Sequence, residues 1–273
     1  LFLFFKKNKF ILEIPPQIKY SDYAKLKTNK WIDDEKKEMD FLYEKLQIEK
    51  NSWFVGFFSR DSLFDSSYRF NMAKKFRNRN SNIDDFIPAM KFISDNGGYA
   101  VRIGNQQNKK LNVQYPRIID YPFLEEKSEK LDFLITYFPR FIIGCGSGIV
   151  DLSSLNNVPT GYVNLEQYEH HIVRKDAVFI PKIIKYKKND KILSKTEYFK
   201  IIKNHSTIQD LNKLINDNNL YYEDNSPEDI LNITKDFYNK FILAKSVKSL
   251  NFEIKVNKRG LNIFNPFYEK YLT

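Results

Sequence analysis

The stretch Asp132–Asn164, DFLITYFPRFIIGCGSGIVDLSSLNNVPTGYVN, decides how this chain folds. It reads as helix, strand, glycine turn, helix, strand. Leu131, Leu134, Ile135 and Phe138 recur at the spacing of a helical core stripe, and Pro139 stops that helix. Phe141, Ile142 and Ile143 form a short apolar run of the buried-strand kind, and Gly144, Gly146 and Gly148 follow at once. Ile149, Leu152 and Leu155 then resume a helical period, and Thr160–Val163 is again strand-like. A glycine turn feeding a helix start admits two readings. Backbone N–H groups there have no intrahelical partner and the helix dipole favours negative charge, so the turn can cradle a phosphate, with the Ser147 hydroxyl alongside. It can equally be a tight turn closing an αβ unit.

Upstream, the pattern repeats. Asp33 and Asp34 precede a helix with Met39, Leu42 and Leu46 on one face, and WFVGFF, residues 53–58, is apolar on both alternating faces, as a central covered strand should be. Ser59 to Asn82 is loop-like over a span on the order of 20 residues, a length that usually signals function or disorder. Arg69, Lys74, Lys75, Arg77 and Arg79 in it fit a solvated basic loop as well as a ligand site. Arg60 differs. It follows the strand directly, at the end where open α/β sheets bind ligands. Asp84 or Asp85 is the expected cap of the next helix, Tyr99–Ile103 a second strand closed by Gly104, and Arg117–Tyr121 a third. Arg102 stands near the end of its strand as Arg60 does.

Downstream, Phe179, Ile180, Pro181, Ile183 and Ile184 read as extended, and short helices fall around Glu197–Lys203 and Ile208–Ile215. Ser226-Pro227-Glu228-Asp229 is a helix start with a cap, a proline in the first position and acids in the first turn, so capping alone explains Glu228. From Trp53 onward the alternation of strands and helices predicts an α/β fold with a mostly parallel sheet and helices on both faces.

The net charge of +10 points to anionic partners, although lysine, asparagine and isoleucine are abundant throughout and compositional bias accounts for part of it. No run of about 18 apolar residues supports a membrane span. The single cysteine, Cys145, rules out an intramolecular disulfide and suits a reducing cytoplasm; set between glycines with no histidine in a nucleophile signature, it is a poor nucleophile. His170 and His171 lack the spacing of a shared metal site, and no metal is expected. Leu1 is not a start methionine, and LFLFFKKNKFILEI fits neither a signal peptide nor a stop-transfer segment, so a truncated start is expected.

Four pieces in order, SRDS after the first strand, RNSNIDDFIPAMKFISDNGGYAVRIG, DFLITYFPRFIIGCGSG and VPTGYVN, resemble a family of bacterial glycosyltransferases associated with surface-polysaccharide biosynthesis. Its members carry an HxRDS-like segment, a GGYxVRMG-like block and an FxIGxxSG-like block. The resemblance runs from about Trp53 to Val163 and returns in the NPFYEKYL tail; Phe58 departs from it, standing where the family has histidine. It implies the Rossmann-type nucleotide-binding half of a GT-B glycosyltransferase, more distantly similar to fucosyltransferases that hold GDP with a strand-end arginine. On that basis residues 1–50 are expected to be a reduced or truncated N-terminal domain with its connecting helix. Residues 51–245 would then be the nucleotide-sugar-binding domain, and residues 246–273 a tail packing back on the body.

The implied activity is transfer of a sugar from a nucleotide-sugar donor to a surface-glycan or lipid-linked acceptor. It needs no cofactor beyond the donor and suits the cytoplasm or the inner membrane's cytoplasmic surface. Transfer requires stabilising a departing diphosphate, by metal or by arginines and helix ends. The sequence has no D-x-D pair to hold a metal. Arg60, Arg102, Gly104 and the Gly146-Ser147-Gly148 turn supply the metal-free solution, with Asp61 as the nearest general base. Asn164 is expected at the base or sugar, and Glu228, by likeness to GT-B proteins, at the ribose. The alternatives are a non-catalytic nucleotide-sugar binder, which the Phe58 departure favours, and a basic nucleic-acid-binding protein using the Ser59–Asn82 loop; no nucleic acid is expected under the main reading.

Overall fold

A computed structural model describes residues 32–61, 77–104, 109–166, 169–170, 177–202, 208–245, 255–256 and 262–263. The expected remnant before residue 32, the basic residues Arg69, Lys74 and Lys75, and most of the 246–273 tail lie outside the described residues.

Helix α1 (Glu35–Lys45) starts at Asp34, whose carboxylate accepts from the Lys37 N–H at 3.0 Å, and buries Leu42 and Leu46. Strand β1 (Phe54–Phe58) is buried at every position, as its two-sided apolar pattern demands. A 3₁₀ turn (Arg77–Arg79) and another (Ile83–Phe86) lead into α2 (Ile87–Asp95). Asn82 caps the second 3₁₀ turn, accepting from the Asp84 N–H, while α2 itself starts after Phe86 with no side-chain cap, so neither Asp84 nor Asp85 caps it. The turn begins one residue before the aspartates, so the neutral amide reaches the first orphan N–H.

Strands β2 (Tyr99–Arg102) and β3 (Ile118–Asp120) follow, then α3 (Glu129–Tyr137), β4 (Ile142–Gly144), α4 (Gly148–Leu155) and β5 (Thr160–Leu165). After the two-residue strand β6 (Glu169–His170) come β7 (Val178–Pro181), β8 (Ile183–Tyr186), α5 (Lys195–Ile202), α6 (Ile208–Asp217), β9 (Leu220–Glu223) and α7 (Pro227–Phe241). Two short strands, β10 (Lys255–Val256) and β11 (Asn262–Ile263), pair with each other, and β11 pairs with β6.

Six strands make one sheet in the order β3-β2-β1-β4-β5-β7, with every pairing parallel. Helices cover both faces. Gly161 turns its face to Ile233 and Phe237 of α7, which also packs on α2, while its neighbour Tyr162 turns the other way and donates to Asp151 of α4 at 2.8 Å. Chain order grows outward from β1 to β3 on one side and restarts at β4 on the other. The connections therefore diverge between β1 and β4, the position at which open α/β sheets form a ligand crevice at the carboxyl ends of their strands.

Strands β8 and β9 form a separate antiparallel pair that brackets α5 and α6. Local pattern does not mark β9, because Leu220–Glu223 is too short and too mixed to show a period of two; Ile184, paired with Tyr222, supplies the missing order.

Candidate functional site

The crevice is assembled from the ends of four strands. Ser59 and Arg60 leave β1; the Ser59 hydroxyl donates to the Ser81 carbonyl at 2.7 Å, and the Ser81 N–H donates to the Arg60 carbonyl at 3.0 Å. The Ser81 hydroxyl also lies 2.9 Å from Cys145 Sγ, while the Cys145 N–H donates to the Phe58 carbonyl at 3.1 Å. Ser81 thus pins β1 to β4 at their point of divergence. Burial pushes the Cys145 thiol up from its ordinary range, with Ser81 pulling it back only in part, so it stays protonated and serves as packing and as a hydrogen-bond partner.

The last residue of β4 has no room for a side chain. A Cβ at Gly144 would stand 2.9 Å from Val150 Cγ2 and 3.0 Å from the Phe58 carbonyl oxygen, closer than real contacts permit. Ser147 caps α4, its hydroxyl oxygen accepting from the Val150 N–H at 3.5 Å, and Gly148 is the first helical residue. The helix start foreseen from the glycine pattern is therefore present, following the strand that pairs with β1 up to Phe58 and Gly144.

The segment after the first 3₁₀ turn lies across these strand ends. Arg79 Nη2 donates to the Gly146 carbonyl at 2.8 Å, and its Nε stands 3.2 Å from Glu166 Oε1 at the end of β5. Lys182, buried just after β7, donates to the Asn80 carbonyl at 2.7 Å and pairs with Asp224 at 2.6 Å. Buried charges are costly unless paired, so the pairs hold this end of the sheet together. In the sequence Glu166 stands out only as an acid near His170-His171, and Lys182 is one lysine within an extended apolar run; neither setting points to these partners.

Asn164 has a left-handed backbone, φ 56°, a conformation asparagine tolerates better than most residues. It exchanges hydrogen bonds with Asn225: each backbone N–H donates to the other's side-chain oxygen at 2.6 Å, and Asn225 Nδ2 donates to the Pro181 carbonyl. The pair ties β5 and β7 to the start of α7.

Arg102 is placed differently from Arg60. Its Nη1 donates to the Lys109 carbonyl at 2.6 Å and to Asp120 Oδ1 at 3.1 Å, and its guanidinium lies over the Phe123 ring. Gly104 follows with φ 147°, a backbone conformation that a side chain would strain. Asp61 is half-buried, next to Arg60. Glu228 is exposed in the first turn of α7, and the capping box there is closed by Ser226 and Asp229, so the acid that does the capping is Asp229.

One acid was missed altogether. Asp151, in the first turn of α4, accepts from the Tyr162 hydroxyl, and burial pushes its carboxyl up to about 6, the hydrogen bond and the nearby Arg79 charge pulling the other way. Its neighbours in sequence, Val150 and Leu152, read simply as helix.

Among the described residues no group of three or more His, Cys, Asp or Glu could hold a metal ion, and no helix is long and apolar enough to cross a membrane. Comparison with known protein families, with characterised proteins and with solved structures finds no match. The fold defines the class of this protein as an α/β domain built on a six-stranded parallel sheet flanked by helices, an arrangement compatible with a Rossmann-like fold.

Proposed function

We propose that the chain is a GT-B-like glycosyltransferase that binds a nucleotide sugar in the β1/β4 crevice and passes the sugar to a glycan or lipid-linked hydroxyl at the cytoplasmic face of the membrane. The observations that support this reading are the burial of Arg60, just past the end of β1, and the serine-capped glycine start of α4 after the neighbouring strand β4, where the strand order diverges. A cation and a helix N-terminus together suit a diphosphate leaving group without metal. As the bond from the anomeric carbon to the diphosphate oxygen breaks, Arg60 and the first-turn N–H groups of α4 would take up the charge left on that oxygen. The acceptor oxygen forms the new bond and gives up its proton to a carboxylate, with Asp61 the nearest candidate in sequence to Arg60. Asn164 and Glu228 complete the proposed donor site at the base or sugar and at the ribose. Arg102, held by Asp120 and the Lys109 carbonyl, is left to a supporting role.

A second reading, a nucleotide-sugar binder without turnover, is favoured by one feature, the buried Phe58 in the position where the resembled family carries histidine. A panel of nucleotides and nucleotide sugars in thermal shift, on wild type and Arg60→Ala, tests the shared first step. A shift in wild type that Arg60→Ala abolishes supports donor binding; no shift with any nucleotide ends both readings. Release of nucleoside diphosphate from the donor that binds then separates enzyme from binder.

A further inference from the structure

Arg79 emerged from a basic run that fits a solvated loop, yet the structure sets it against the glycine turn. Its Nη2 is 2.8 Å from the carbonyl of Gly146, the residue just before the serine that caps α4. Its Nε is 3.2 Å from the carboxylate of Glu166, which is only 7% exposed, and Asp151 on the first turn of α4 feels the same positive charge. A buried carboxylate so close to a diphosphate site would repel the ligand unless a cation covers it. A guanidinium is suited to exchange one such partner for another, because its planar fork of donors matches carboxylate and phosphate alike.

A second observation at this end of the sheet asks independently for an acceptor. Asn164 lies two residues past Tyr162, and Gly146 two past Gly144, the paired residues that end the β4–β5 ladder. Asn164 is 1% exposed, its Oδ1 is taken by the Asn225 N–H, and its Nδ2 has no hydrogen-bond partner among the described residues. Buried amide donors are rarely left so, since nothing then offsets the loss of their bond to water.

We propose that Arg79 is the second cation of this anion site: a phosphoryl group at the Gly146–Gly148 turn draws its guanidinium away from Glu166, and Glu166 thereby sets the affinity. The inference rests on the donor-binding reading above and deepens it by naming phosphoryl oxygens as the ligand atoms and Glu166 as their competitor. It makes Arg79 and Glu166 opposed in effect, although they form one ion pair. A merely structural ion pair would behave otherwise, losing the same thing whichever partner is removed.

Calorimetric titration of inorganic pyrophosphate, GDP and UDP into wild type, Arg79→Gln, Arg79→Lys and Glu166→Gln tests this. Arg79→Gln is expected to weaken binding by about tenfold or more, the loss of a charge-assisted hydrogen bond, and Glu166→Gln to tighten it by about three- to tenfold. Arg79→Lys falls between wild type and Arg79→Gln, since it keeps the charge and loses the fork. If Arg79→Gln binds within twofold of wild type, or if Glu166→Gln weakens binding as Arg79→Gln does, Arg79 is a structural tether and the proposal falls while donor binding stands. Should Arg79→Gln fail to fold, Glu166→Gln and Arg79→Lys decide by the same criteria. Wild type that binds none of the three ligands removes the donor-binding reading, and this inference with it.

Discussion

Arg60 and Arg102 look alike in the sequence, each an arginine at the carboxyl end of an apolar strand, and the fold separates them. Arg60 follows β1, the strand at which the sheet's connections diverge and whose neighbour β4 leads into the start of α4. Arg102 ends β2, one strand further out, where β3 brings Asp120 opposite it in register and the pair is closed at 3.1 Å. The same residue type in the same local setting thus has a strand leading into a glycine turn beside it in one case and a paired carboxylate in the other. Strand-end position alone does not make a ligand residue; the neighbouring strand decides.

The comparison breaks most visibly at Arg102. Arg102→Met leaves Asp120 without its buried partner and is expected to lower stability by about 3–5 kcal/mol, with the nucleotide-induced increment unchanged. Urea unfolding with and without nucleotide reads both quantities. An increment lost along with the stability would return Arg102 to the donor site.

Asp151 sharpens the α4 side of the comparison. Its native carboxyl holds a proton up to about 6 against an ordinary value of 3.8, so between those values the native state binds more protons than the unfolded chain. Stability from this group is therefore complete below about pH 4, is lost as pH rises through about 6 and stays lost above. Asp151→Asn keeps an acceptor for Tyr162 and removes the titration. It should stabilise the protein by up to about 3 kcal/mol at pH 8 and leave it near wild type at pH 4. Equal gains at both pH values would show that the effect is packing.

Arg60→Ala is read on the same two quantities as Arg102→Met. The stabilisation that a saturating nucleotide gives, about 2.7 kcal/mol at a hundred times Kd, should vanish, and the ligand-independent melting point measures separately the structural cost of removing a buried arginine. The smallest effect belongs to α7. Ser226→Ala opens the capping box and should cost about 1 kcal/mol, whereas Glu228→Gln, exposed and outside the box, should leave stability within about 0.5 kcal/mol of wild type. A Glu228→Gln that weakens nucleotide binding without destabilising would support its proposed place at the ribose.

Much of the architecture was legible because local patterns and tertiary demands agree. WFVGFF is apolar on both faces since β1 is covered on both, and β4 ends on Gly144 because Val150 and the Phe58 carbonyl leave no space for a side chain there. The capping residues Asp34 and Ser226 announced their helices, whereas α2, entered from a 3₁₀ turn that Asn82 caps, takes no side-chain cap from Asp84 or Asp85. Among the proposed site residues, Arg60 and the Gly146-Ser147-Gly148 turn could be picked out by their adjacency to strands. Glu166, Lys182 and Asp151 could not, because their significance lies in partners more than ten residues away: Arg79, Asp224 and Tyr162.

By itself the sequence determined the elements and their alternation, the parallel sheet that alternation requires, and a helix start rich in glycine behind a buried strand. Those follow from side-chain periodicity and backbone sterics, which act over a few residues. Only the tertiary structure decided that the sheet diverges between β1 and β4, that Arg102 pairs with Asp120, and that Arg79 crosses to Glu166. Such pairings depend on strand order, and charge partners distant in the chain become neighbours only once the sheet is assembled.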